Sequence, residues 1–149
     1  MDSKSLRLDG QSVVSGHGEG MLLVLDEPLS FWGGVNAETG EIIQQDHPQR
    51  GALLRDRVMV MARAKGSSSS SSVLAELVRN GNAPAAIVMR AADLIVALGS
   101  IVASELYARN LPIVALSDAN WLYLLKSDRD CFAEVISDGK QSTIIVSPV

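Results

Sequence analysis

Six consecutive serines, Ser67 to Ser72, follow Arg63-Ala64-Lys65-Gly66 and form the densest group of chemistry-bearing side chains in the chain. A serine hydroxyl both donates and accepts hydrogen bonds. At the first turn of a helix it adds to backbone N–H groups and to the positive end of the helix dipole, and the three together attract a carboxylate or phosphate. Gly66 would let the backbone approach such a ligand closely. The same field favours the ionised form of one hydroxyl and suits it to take a proton. An alkoxide still requires more positive charge: Lys65 and Arg63 are local sources, and a metal or arginines of a partner are larger ones. The competing reading is a flexible serine linker. A linker should join two foldable units, yet the segments on either side lack independent cores and each leaves strands unpaired.

A second polar group is Asp46-His47-Pro48-Gln49-Arg50-Gly51, where an acid, an imidazole, an amide and a guanidinium crowd together. Asp46 and His47 are its candidate binding residues, and a proline-containing surface turn is the plainer alternative. The other histidine, His17, stands in a separate glycine-flanked turn, so no three convergent metal ligands emerge and no metal site is expected in this chain. Trp32 with Gly33-Gly34 serves either to pack a loop against the site or partner, or as ordinary loop anchoring. The single cysteine, Cys131, excludes an internal disulfide and cannot alone hold an iron–sulfur cluster.

The elements that must position these groups follow from apolar pattern. Gly20 to Leu25, Val58 to Ala62, Ala85 to Met89 and Pro112 to Leu116 are short apolar runs suited to strands buried on both faces. Ser30 to Gly40 is too rich in turn formers for regular structure. Val73, Leu74, Leu77 and Val78 recur at helical spacing and stop at Asn80-Gly81-Asn82, which predicts a helix entered through serine. Asp93 fits the N-cap of a second helix reaching about Arg109, with Leu94, Leu98, Ile101, Val102 and Leu106 as the stripe expected to be buried. Strands alternating with helices imply crossovers and a mainly parallel sheet. The tail reads as a hairpin, Cys131 to Ile136 with Ser142 to Val146, turning at Asp138-Gly139, and the first 25 residues read as short strands. The serines then lie at a strand-to-helix junction, where parallel α/β layers bind ligands.

Residues 1–149 are expected to form one domain, with 47 % hydrophobic and only 4 % aromatic residues, so aliphatic side chains must build its core. A formal charge of −4 with no cluster of Lys or Arg argues against a nucleic-acid partner. The N-terminal MDSKSLRLDG has no signal-like apolar run, and no stretch approaches the roughly 20 apolar residues of a membrane span. A cytoplasmic location with no membrane partner is the resulting expectation.

Taken in order, PLSFWGG (Pro28 to Gly34), TGEII (Thr39 to Ile43), DHPQRG (Asp46 to Gly51), KGSSSSS (Lys65 to Ser71) and ALGSIVASELYARNLPIV (Ala97 to Val114) make the chain resemble the swivel domain, or small subunit, of the aconitase X family of hydro-lyases. The KGSS segment is also similar to the GSS segment of the aconitase swivel domain, and DHPQ to its Asp-His turn. The resemblance implies a swivelling β/β/α three-layer α/β domain with a mainly parallel central sheet. It implies dehydration of a 3-hydroxy carboxylic acid, in which Ser67 accepts the proton next to the carboxylate. Ser68 and Ser69 are then carboxylate donors, with Gly66, Asp46 and His47 at the substrate. Six serines in a row leave the register of that assignment open.

The resemblance further implies a large-subunit partner that carries an iron–sulfur cluster or iron, this chain binding no cofactor itself. Two substrates follow, cis-3-hydroxy-L-proline and mevalonate 5-phosphate. The serine-only run and the lack of added basic residues favour the first. Two alternatives of other classes stand beside this one: a non-catalytic module whose serine-capped helix holds an anionic metabolite, and a scaffold with a disordered serine tract.

Overall fold

A computed structural model describes residues 5–66 and 68–149. The aliphatic runs become strands: β1 (Leu6–Val14), β2 (Gly16–Val24), β3 (Arg57–Met61), β4 (Ala86–Met89), β5 (Ile113–Ala115), β6 (Cys131–Ser137) and β7 (Gln141–Pro148). The helices are a four-residue turn α1 (Phe31–Gly34), then α2 (Ser69–Arg79), α3 (Leu94–Tyr107) and α4 (Asp118–Lys126).

The strands close into a barrel in the order β1-β5-β4-β3-β2-β6-β7. The pairs β2–β3, β3–β4 and β4–β5 are parallel. The pairs β1–β5, β1–β7, β2–β6 and β6–β7 are antiparallel. This corrects the mainly parallel sheet expected from the crossovers: the sheet is mixed, because β1 pairs antiparallel with β5 at one edge of the parallel set and the β6–β7 hairpin joins β2 at the other edge to β1. Closure removes the two open edges that a four-stranded parallel sheet would otherwise expose.

Side chains alternate across the parallel strands. Val58, Val60, Ala86, Val88 and Val114 turn into the barrel, against Ala133, Val135, Ile144 and Val146 of the closing hairpin. Met59, Met61, Ile87, Met89 and Ile113 turn outward and pack with Leu74 and Leu77 of α2 and Val96 and Ala103 of α3. Both crossover helices therefore cover the same face. They approach closely at Gly99, where a Cβ would lie 2.8 Å from the Ser71 carbonyl oxygen and 3.1 Å from Leu74 Cβ. Helix α4 was not anticipated; Ser117 caps it by accepting from the Asn120 N–H at 3.2 Å, and Trp121 and Leu124 enter the inner core.

The stripe of α3 is also corrected. Leu94, Leu98, Ile101 and Leu106 are exposed, Val102 alone of the stripe packs half-buried against the core, and the buried face is made of Val96, Ala97, Gly99, Ser100 and Ala103. Small residues win the inner side because α2 lies too near for leucine. Ser100 is satisfied there by donating to the Leu111 carbonyl at 2.6 Å. No helix among the described residues is long and apolar enough to cross a membrane.

Candidate functional site at the serine edge

The loops that leave the C-terminal ends of β2, β3, β4 and β5 all emerge on one edge of the parallel set, where an α/β layer presents backbone and side chains to a ligand. The β2 loop runs beside the β3 loop: Leu29 pairs with Ala64 in parallel, and the Lys65 N–H donates to the Leu29 carbonyl at 3.1 Å. The chain then turns at Gly66, whose φ of +111° lies in the region that L side chains rarely adopt. A Cβ there would stand 2.7 Å from Ser30 Oγ and 3.3 Å from Ser70 Oγ. Two hydroxyls thus converge on one bare backbone position.

Ser30 Oγ donates to the Trp32 carbonyl at 2.8 Å, and its N–H donates to Gln44 Oε1 at 2.9 Å. Ser70 is only 3 % exposed, and its Oγ has no hydrogen-bond partner among the described residues. It lines a cavity of about 20 Å³ together with Lys65, Gly66, Asp93 and Ile95. That is room for about one water or one ligand oxygen. Burying an unpaired hydroxyl costs roughly 1–3 kcal/mol, so this position asks for a partner. Ser68 occupies the N-cap position of α2 in αR geometry without a side-chain capping bond, and its carbonyl accepts from Ser71 N at 3.2 Å and from Ser71 Oγ at 2.8 Å. Ser68 and Ser69 are exposed at this edge beside Gly66. Ser67 lies outside the described residues.

The Asp46–Gly51 turn reaches the same edge indirectly, by bracing the β2 loop. His47 is buried; its Nδ1 accepts from the Gln49 N–H at 3.0 Å, so its Nε2–H donates to the Glu27 carbonyl at 3.1 Å. Both ring nitrogens are committed to loop backbone. Asp46 is exposed with a φ of 64°. Gln49 Oε1 accepts from the Asp26 N–H at 3.0 Å, while its Nε2 donates to Asp26 Oδ2 at 2.7 Å. Arg129 adds a two-pronged ion pair to the same carboxylate, at 2.5 and 3.2 Å. The Arg129 guanidinium, helped by the Gln49 amide, holds the Asp26 carboxyl below the usual carboxylate range.

At the C-terminal ends of β4 and β5 lies an open cleft of about 650 Å³ lined by Asp9, Gly10, Arg90, Ser117 and Asn120 among others. Arg90 Nε donates to Asp118 Oδ1 at 2.9 Å, so the charge of this cation is already matched. The described residues that group like metal ligands, His17, Glu19 and Glu134, stand at the other end of β2. Cys131 is buried in the inner core, where desolvation pushes its thiol pKa up. The donor set of the serine edge contains no thiol and does not fit an iron–sulfur group.

Ser30 was not among the residues singled out from sequence, and Ser70 was included only in the open register of the serine run. For Ser70 a signal existed: it stands four and seven residues before Leu74 and Leu77, on the inward face of the helix. Ser30 meets Gly66 only through the pairing of two distant loops, which no local pattern announces.

A family model described as the aconitase X swivel domain matches residues 7–146. The chain belongs to this family. A solved structure of aconitase X from Thermococcus kodakaraensis in its holo-form is similar over 93 % of this chain and 98 % of that one, with a TM-score of 0.78 and 32 % identity. The α/β swivel fold is therefore that of the family. A cis-3-hydroxy-L-proline dehydratase of Pseudomonas aeruginosa is 45 % identical over 108 residues, 72 % of this chain and 19 % of that protein. A phosphomevalonate dehydratase small subunit of Thermococcus sibiricus is 43 % identical over 98 residues, 66 % of this chain and 75 % of that subunit. The swivel domain thus spans about a fifth of the hydroxyproline dehydratases that it matches and three quarters of the phosphomevalonate dehydratase small subunit.

Proposed function

We propose that this chain is the small subunit of a two-subunit hydro-lyase that dehydrates a 3-hydroxy carboxylic acid, with Ser67 as the proton acceptor. The reading rests on family membership and on one structural observation. The serine run begins at a parallel strand's C-terminal edge, directly after a positive-φ glycine on which Ser30 and Ser70 converge. In this scheme the α2 N-terminus and the hydroxyls of Ser68 and Ser69 hold the substrate carboxylate, and Gly66 allows its approach. Ser67 takes the proton from the adjacent carbon as the hydroxyl group leaves from the next one. His47 and Asp46 act through the turn that braces Glu27 to Ser30. The iron–sulfur cluster or iron that serves such chemistry belongs to the large subunit in this reading.

We infer cis-3-hydroxy-L-proline as the substrate. The run is serine throughout, and Arg90, the cation lining the broad cleft at this edge, is engaged by Asp118 instead of awaiting a phosphate. Mevalonate 5-phosphate is the second substrate to test, given the small-subunit relatives.

The test is anaerobic co-expression with the neighbouring large-subunit candidate and a dehydration assay on both compounds. Turnover that needs both chains and is abolished by Ser67→Ala, with the fold of the variant unchanged, supports the assignment. Full turnover by Ser67→Ala overturns the role of Ser67, and a stable complex inactive on both compounds rejects the substrates. Failure of the two chains to associate favours an anion-binding module instead.

A further inference from the structure

Helix α3 exposes the wrong kind of surface for solvent. Leu94 is 83 %, Leu98 50 % and Ile101 47 % exposed, and their spacing of four and three residues puts them on one face of the helix. The opposite face is fully used against α2 and the parallel strands, so this strip is surplus to the core. A contiguous apolar strip of this kind marks an interaction surface. Its position is informative as well. Leu94 follows Asp93, which lines the small cavity with Gly66 and Ser70. Trp32, 63 % exposed, is tied to the same edge through its carbonyl, which accepts from the Ser30 hydroxyl that abuts Gly66. Two exposed large apolar side chains, Leu94 and Trp32, are thus connected through neighbouring residues to Gly66 and Ser70.

We infer that the strip formed by Leu94, Leu98 and Ile101, continued across the serine edge by Trp32, is the surface on which the large subunit seats, so that the partner closes over the Gly66–Ser70 cradle. This rests on the two-subunit reading above and adds to it the face that makes the contact. Three observations select that occupant. In the hydroxyproline dehydratases the matched segment is only about a fifth of the chain, so a much larger body adjoins it; the other relatives are named small subunits. Helix α3 has no basic residue and one acid, Glu105, which suits an apolar protein surface and not nucleic acid or anionic lipid. The strip is also continuous with the serine edge, so a body seated on it excludes water from the cradle.

The experiment measures the dissociation constant between this full chain and the large subunit for three variants: Leu98→Glu/Ile101→Glu, Leu94→Glu, and a control pair on α4, Leu122→Glu/Tyr123→Glu. Leu94 is nearly free of neighbours, so Leu94→Glu cannot fail through misfolding; circular dichroism and Tm check the others. The inference expects at least about 100-fold weaker binding for the double α3 variant, about 10-fold for Leu94→Glu, and no change for the α4 pair. Wild-type affinity in both α3 variants, with an intact wild-type complex, overturns the inference and leaves the two-subunit reading standing. Loss of binding only in the α4 pair overturns it in favour of the outer face of α4. An isolated wild-type dimer that Leu94→Glu splits, without loss of large-subunit affinity, assigns the strip to a second copy and overturns it too. Absence of any wild-type complex removes both the reading and the inference.

Discussion

Helices α2 and α3 lie side by side on one face of the barrel and start at the same edge, but they start and pack in opposite ways. Asp93 closes the first turn of α3 by accepting from Ile95 N at 2.9 Å and Val96 N at 3.1 Å. Ser68 makes no such bond at the start of α2. Helix α2 buries Leu74 and Leu77, whereas α3 buries alanine and glycine and turns its leucines outward. A capped N-terminus is spent on stability. The start of α2 has no side-chain cap and stands beside a positive-φ glycine and the buried Ser70 hydroxyl. In the reading proposed above, the start of α2 faces the ligand and the outer face of α3 the partner.

Stability measurements sharpen this contrast. The largest effect is expected inside α2: Leu74→Ala should cost about 2–5 kcal/mol, and Leu98→Ala on the outer face of α3 no more than about 0.5 kcal/mol, by urea denaturation of the isolated chain. Equal losses would show that the two faces are not divided as described.

The caps come next. Asp93→Ala should cost about 1 kcal/mol, while Ser68→Ala should change stability by only a few tenths, because Ser68 contributes its carbonyl and not its hydroxyl to α2. A Ser68→Ala loss as large as that of Asp93→Ala would break the comparison.

The smallest effect concerns pH at the braced loop. The folded-state pKa of Asp26 lies below its unfolded value, so its contribution is fully present above the ordinary value of 3.8 and is lost as pH falls through the folded one. Asp26→Asn should therefore lower Tm slightly at about pH 6, and the gap from wild type should close as pH drops below about 4. Added salt should shrink the gap at pH 6, since the pair with Arg129 is largely exposed.

Local pattern carried much of this molecule into view. The parallel strands β3, β4 and β5 were legible because each is an unbroken aliphatic run, and α3 because Asp93 is a true N-cap. The hairpin of β6 and β7 was legible from Asp138-Gly139. What the pattern did not carry was partnership at a distance. Strand β1 pairs with β5 and β7, more than a hundred residues away along the chain, and nothing within its own residues names those neighbours. The α3 stripe was located correctly and oriented wrongly, since periodicity finds an apolar face but the nearness of α2 decides which face fits inside. Helix α4 was missed because it is short and leaves Leu122 and Tyr123 outside. At the candidate site, the serine run and Gly66 stood out by type, whereas Ser30 joined them only through loop pairing.

The antiparallel pairing of β1 with β7 has one more outcome. Leu6 lies opposite Val146, and Ser5 Oγ is 3.1 Å from Ser147 Oγ, so the chain enters and leaves the barrel at one spot. The two ends can therefore be spliced and the chain reopened in an exposed loop with the architecture retained.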